Sequence, residues 1–181
     1  MKMWSNSLLA RVEEQLNGHE YWGPRANLLF QTPGRANSLH LAVFVEPFLT
    51  FVLDGRKTVE SRFSIHRTAP FGSVCSGDIV LVKRSGGPIV AVAEVSQVWY
   101  YELDSKAWEF IRSRFAKQLC IDDPEFWESK SSAYFATLMQ LGRVEKIGPI
   151  PCSKRDRRGW VVLSHLAEQP ELFPDLAHDT V

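Results

Sequence analysis

The 181-residue sequence lacks long apolar runs, paired cysteines and a net charge. No apolar run approaches the roughly 20 residues that cross a bilayer. The first residues, MKMWSNSLLARVEEQL, carry glutamates where a signal peptide has an apolar segment. Cys75, Cys120 and Cys152 form neither a CxxC pair nor a disulfide framework, so we expect free thiols. These absences predict a cytoplasmic protein without membrane contact.

The zero net charge hides an uneven distribution along the chain. Residues 39–165 hold 17 Lys and Arg against 14 Asp and Glu, whereas residues 166–181 hold four acids and no base. The middle is therefore mildly basic and the end is acidic. So small an excess excludes strong long-range attraction to nucleic acid, and any such site must depend on a local cluster.

Several motifs that mark enzymes are missing as well. The sequence has no GxSxG nucleophile elbow, no phosphate-binding glycine loop and no dinucleotide fingerprint. Its five histidines show no metal-ligand spacing with cysteines or acids. We therefore predict neither a metal nor a cofactor.

Three parts of the chain differ in pattern. Residues 1–38 begin with a short amphipathic helix, with Leu8, Val12 and Leu16 at helical spacing, and continue as a lead-in rich in Gly, Pro and Asn that we expect to be irregular. Residues 39–165 form the main domain. Residues 166–181 form an acidic tail, which we expect to be a loose extension.

The main domain alternates short strands with few helices. The sequence SGGP between two apolar runs predicts a β-hairpin, and Gly55 ends a helix that Pro47 begins. We predict an α+β fold with a small bent β-barrel of five or six mostly antiparallel strands and flanking helices. The predicted strands lie at 39–45, 58–63, 79–84, 89–95, 133–141 and 158–163, and the predicted helices at 47–54, 105–119 and from 124 onward.

The candidate site lies in the segment LDGRKTVESRF. The strand TVESRF alternates, so Glu60 and Arg62 share one face, and Lys57 precedes it at a helix-to-strand turn. Charged side chains placed so close together commonly form only a solvated ion pair on the protein surface. Side chains at such turns also line clefts, which makes the three residues candidates for a binding site.

The pattern G-x-K-x-x-E-x-R over Gly55, Lys57, Glu60 and Arg62, followed by SGDIVLV, resembles the ASCH (activating signal cointegrator homology) family. The resemblance covers about residues 39–163. It implies a PUA-like β-barrel whose cleft carries these charges and binds RNA or a modified nucleoside.

One branch of that family resembles small amidohydrolases that deacetylate N4-acetylcytidine, and another is associated with RNA cleavage. The amidohydrolase branch has threonine as nucleophile where this sequence has Glu60. A Lys57 base must also be neutral, which requires its pKa to fall from about 10.4. Two alternatives to a binding site therefore stay open. The first is a hydrolase that uses Lys57 and Glu60, with Glu60 as general base. The second is a protein adaptor that uses the N-terminal helix and the acidic tail.

Further candidates lie outside the motif. His66 and Arg67 follow it in a loop and are predicted to close over a ligand, while Arg157 and Arg158 belong to a basic segment, SKRDRRGW, that can grip phosphates. The aromatic run at 98–103 offers either base stacking or core packing. The segment DDPE at 122–125 offers either a third catalytic acid or a helix cap, and we favour the cap.

Overall fold

The computed structural model describes residues 6–31, 37–152 and 157–164. The predicted acidic tail at 166–181, and Lys154 and Arg155 of the basic segment, lie outside the described residues. No helix in the described ranges is long and apolar enough to cross a membrane. The elements are α1 (Asn6–Leu16), α2 (Trp22–Gln31), β1 (Leu39–Phe44), α3 (Phe48–Leu53), β2 (Val59–Ser64), β3 (Ile79–Arg84), β4 (Ile89–Glu102), α4 (Ser105–Leu119), α5 (Pro124–Glu128), β5 (Phe135–Ile150) and β6 (Trp160–Ser164).

The six strands form one curled sheet in the order β2-β5-β4-β3-β1-β6. Strands β1 and β3 pair in parallel, and every other neighbouring pair is antiparallel. The sheet curls into a half-barrel with helices beside it, which confirms the predicted α+β class and the predicted strand number. Its two edge strands, β2 and β6, are far apart in sequence.

The two long strands extend beyond the predicted ones. β4 has 14 residues and β5 has 16, and their pairing shifts register at three places. Each β-bulge adds a residue on one strand and bends the pair. The bulges also interrupt the alternation of apolar and polar side chains, which is why the sequence pattern marked only parts of these strands.

The lead-in after α1 contains a helix, so the expectation of an irregular segment was wrong. α2 begins at Trp22, and Pro24 lies in its first turn, where the missing N–H of proline costs nothing. The ring of His19 accepts hydrogen bonds from the backbone N–H groups of Tyr21 and Trp22 through Nδ1. Trp22 is buried against the sheet, so tertiary packing stabilises a helix that local composition disfavours.

Three apolar clusters fill the space between the sheet and the helices. The first joins α1 and α2 to one end of the sheet, the second lies beneath α3, and the third joins α4 and α5 to β2 and β5. α4 has the predicted bounds, with Asp104 as its N-cap. The third cluster fixes the C-terminal end of α4 against the start of β2, where the candidate residues lie.

Candidate functional site

Lys57 lies between α3 and β2 and is 3% exposed. Gly55 ends α3 with a positive φ of 73°, and the Lys57 N–H donates to the Phe51 carbonyl, so the turn directs the chain back into the protein. The Lys57 Nζ donates to the Leu119 carbonyl at 3.1 Å and lies 3.4 Å from Glu60 Oε2. An ammonium has three N–H donors. Two have these partners in the part of the chain that the structure describes, which leaves one for a ligand.

The C-terminal end of α4 provides a contact that sequence reasoning missed. The last carbonyls of a helix lack partners within the helix. Here the Gln118 carbonyl accepts from Thr58 N–H, and the Leu119 carbonyl accepts from Lys57 Nζ. The negative end of the helix dipole therefore faces the ammonium and stabilises it. The sequence predicted where α4 ends, and the last carbonyl groups of a helix need donors from outside it. No local pattern indicated that Lys57 is such a donor.

Glu60 and Arg62 share one face of β2, as the alternation predicts. Glu60 is 6% exposed, and its Oε1 lies 2.8 Å from Arg62 Nε, although that N–H does not point along the line to the carboxylate. Glu60 therefore forms ion pairs with both cations, one through each oxygen.

Arg62 also joins the two sides of the half-barrel. Its guanidinium donates to the Val43 carbonyl at 3.0 Å and to the Gly159 carbonyl at 3.2 Å, and it lies over the Trp160 ring at 5.5 Å. These partners come from β1 and the start of β6, opposite β2. Arg62 thus spans the opening between the edge strands with a side chain that is 20% exposed.

A cleft of about 280 Å³ lies at this opening. Its charged residues are Lys57, Glu60, Arg62 and Lys130, and its aromatic residues are Phe44, Phe48, Phe63 and Phe126; Val43, Val45 and Ser61 complete it. Phe126 and Lys130, from α5 and the segment after it, were not predicted. The cleft therefore combines aromatic faces with a buried row of charges.

Burial lowers the pKa of the Lys57 ammonium below its usual value of 10.5. The Glu60 carboxylate opposes this shift, and Arg62 adds to it. The net lowering of the pKa means that the Lys57 ammonium is a stronger acid than that of a surface lysine. The site therefore contains a lysine that donates hydrogen bonds and whose charged form is disfavoured by burial.

No family model and no curated protein matches the chain. Solved structures do match. The crystal structure of ASCH from Zymomonas mobilis is 14% identical, covers 70% of this chain and 87% of its own, and superposes with a TM-score of 0.56. A serine-to-alanine mutant of that protein, also 14% identical, covers 73% and 91% with the same TM-score of 0.56. This chain has the ASCH fold. The predicted fold, a small bent sheet of mostly antiparallel strands with flanking helices, is confirmed with it.

Two other predicted site residues, His66 and Arg67, lie outside the cleft. Arg67 forms an ion pair with Glu102 and lies over the Phe135 ring at 5.2 Å. Glu102 and Phe135 line a second groove, away from Lys57. His66 is exposed in the same loop. The structure thus brings Lys57, Glu60 and Arg62 together and places His66 and Arg67 elsewhere.

Arg157 and Arg158 are exposed immediately before Gly159, whose carbonyl holds Arg62. They do not line the cleft, but they adjoin its Arg62 end. In the basic segment, the structure describes the position of these two arginines relative to the cleft.

Two remaining alternatives are decided by packing. Asp123 caps α5 by accepting from Glu125 N–H at 2.8 Å, which confirms the capping interpretation of DDPE. Trp99 and Tyr101 pack against the third apolar cluster, which confirms core packing for them. Within the described residues, no three His, Cys, Asp or Glu side chains are grouped to hold a metal ion.

Proposed function

We propose that the cleft binds an RNA base or a modified nucleoside. The observation that carries this proposal is a buried ammonium with one uncommitted N–H donor, beside a carboxylate and aromatic rings, in an open cleft. The likeness of the sequence motif to the ASCH family implies the same class of ligand. A nucleobase offers a flat face for stacking and a polar edge for hydrogen bonds, and the cleft has groups for both.

The three charged residues have different roles in this proposal. Lys57 donates to a base carbonyl or a phosphate oxygen. Glu60 accepts from a base amino group, because a carboxylate oxygen that already has a cationic partner keeps a second lone pair. The guanidinium of Arg62 already donates to the Val43 and Gly159 carbonyls. Its main role is therefore to orient Glu60 and to fix the width of the cleft, and direct contact with the ligand is secondary.

The test is the affinity for a fluorescently labelled single-stranded RNA and for nucleosides, measured by anisotropy and calorimetry. Lys57→Met keeps the length of the side chain and removes its donors. We expect it to weaken binding about tenfold to a hundredfold, as for the loss of a hydrogen bond from a charged group. Arg56→Met, which removes a 57%-exposed cation nearby, is the matched control. Equal affinity of the Lys57→Met variant and the wild type would refute the proposal.

Hydrolysis in the same cleft is the second candidate, and the lowered Lys57 pKa favours it. In an acylated base, water would add to the acyl carbon while Lys57 takes its proton, and the C–N bond would then break with the proton passing to the departing amine. Glu60 is the weaker candidate for the base, because both oxygens already face cations. Product detected by mass spectrometry and lost in Lys57→Met would establish the hydrolase; saturable binding without product would leave a binding module.

The adaptor hypothesis receives no support from α1. Its apolar residues Leu8, Val12 and Leu16 are buried against the protein's own sheet, so they are not available to a partner. The predicted domain boundaries at 38 and 165 remain part of our proposal, with the ASCH-type domain as the ligand-binding unit.

A further inference from the structure

We propose that the solvent-facing side of α4 is a track for the backbone of single-stranded RNA that leads to the cleft. This inference rests on the proposed function. The residues concerned are Lys106, Phe110, Arg114 and Lys117, here called the α4 stripe.

The α4 stripe lies opposite the buried face of the helix. Ile111, Phe115 and Leu119 are buried, whereas the four stripe residues are exposed. Their spacing of four, four and three residues places them on one line along the helix. At 1.5 Å per residue the line is about 16 Å long, enough for several nucleotides.

The cations of the α4 stripe have no ion-pair partner among the described residues. Two surface arginines elsewhere do: Arg84 pairs with Glu46, and Arg67 pairs with Glu102. The acid nearest the stripe in sequence is Glu109, which lies on its margin about 100° around the helix from Phe110. In a chain with no net charge, a line of three unpaired cations is a local concentration of positive potential.

The exposed ring of Phe110 favours nucleic acid as the ligand of the α4 stripe. It lies at the centre of the stripe and is 50% exposed, with Tyr101 beside it at a ring separation of 6.1 Å. Single-stranded nucleic acid offers phosphates to the cations and base faces to the ring at the same time. A bilayer of anionic lipid would use the charges and offers no base to stack on the ring.

The C-terminal end of α4 adjoins the cleft, although no residue of α4 lines it. The stripe ends at Lys117, and two residues later the Leu119 carbonyl holds Lys57. At the other end of the cleft, Arg62 bonds the carbonyl that follows Arg157 and Arg158. Because Lys117 faces solvent and Leu119 faces the protein, a strand lying along the stripe would turn around the end of α4 to reach Lys57, and it would reach the two exposed arginines last.

The test compares two labelled probes on the full chain: a single-stranded RNA of about 12 nucleotides, within the usual site sizes for such proteins, and a dinucleotide too short to cover both cleft and stripe. The stripe variant is Lys106→Ala, Arg114→Ala and Lys117→Ala together. The control variant, Arg11→Ala, Arg56→Ala and Lys146→Ala, removes the same charge from exposed positions outside the stripe. Melting temperatures check that each variant folds.

We expect the stripe variant to bind the longer RNA at least about tenfold more weakly, with the slope of log affinity against log salt reduced by about two, since each phosphate contact contributes about 0.7. Its affinity for the dinucleotide should not change. Phe110→Ala should weaken binding of the longer RNA by about tenfold. The slope of log affinity against log salt should not change, because stacking does not release counterions.

The results distinguish failure of the track from failure of the proposed cleft function. If the stripe variant binds both probes like the wild type while Lys57→Met loses them, the track is refuted and the proposed cleft function stands. If Lys57→Met keeps full affinity, the proposed function and the track that depends on it both fall. An equal loss in the control variant, or loss of anionic-vesicle binding with RNA binding intact, would also overturn the track.

Discussion

Two clusters of buried polar side chains lie in the same half-barrel, one formed by His40, Asp78 and Trp160 and the other by Lys57, Glu60 and Arg62. In the first, Asp78 accepts from the Ser38 and Cys75 N–H groups, both at 2.7 Å, and lies 2.9 Å from His40 Nε2. The Trp160 indole donates to His40 Nδ1 at 3.2 Å, so Nε2 carries the proton that Asp78 accepts.

In the first cluster the hydrogen-bonding groups find their partners within the protein, whereas in the second cluster one N–H donor of Lys57 does not. His40 and Asp78 are 0% and 1% exposed and do not line the cleft. Lys57 is almost as buried, but it borders the cleft and retains a donor. Burial of charge alone therefore does not identify a binding site; a buried group with an uncommitted hydrogen bond beside a cavity does.

The largest effect should come from breaking the complete cluster. Asp78→Ala leaves the buried Ser38 N–H, the partly buried Cys75 N–H and the buried His40 ring without their acceptor, so we expect the free energy of unfolding to fall by about 3–5 kcal/mol. Urea unfolding measures this change. Asp54→Ala, which removes a 45%-exposed carboxylate, should cost under about 1 kcal/mol. Similar losses for the two variants would remove the distinction between a structural cluster and a surface pair.

A smaller, pH-dependent effect should mark the incomplete cluster. Because the native pKa of Lys57 is lowered, the unfolded chain binds more protons than the native chain between that lowered pKa and 10.5. Wild-type stability should therefore rise with pH in this window relative to Lys57→Met, by about 1.4 kcal/mol for each unit of lowering. Denaturant titrations from pH 7 to about 10.5 measure the difference, and Lys106→Met is the exposed control. Parallel curves for wild type and Lys57→Met would mean that burial does not disfavour the ammonium.

The smallest effect should come from the exposed arginines beside the cleft. Replacing Arg157 and Arg158 by Ala should weaken RNA binding a few-fold and lower the salt slope by about 1.4, for two phosphate contacts. Salt titrations of RNA anisotropy measure both quantities. Unchanged binding would remove these arginines from the site and leave the cleft charges as its basis.

Local patterns predicted most elements, and long-range packing explains the errors. α4 has the predicted bounds because its apolar spacing and its Asp104 cap act within the helix. α2 was missed because the burial of Trp22 outweighs the Gly and Pro around it. The shared face of Glu60 and Arg62 followed from strand alternation, whereas the contributions of Phe126 and Lys130 depended on how α5 packs.

The sequence alone determined most of the helices and strands and the shared face of Glu60 and Arg62 on β2, because periodicity, caps and turns act between residues a few positions apart. Only the tertiary structure decided that this face borders a cleft and that α4 ends against it. The contact between Lys57 and Leu119 joins residues 62 positions apart, and that between Arg62 and Gly159 joins residues 97 apart. Such contacts decide which donors are satisfied within the protein and which remain for a ligand.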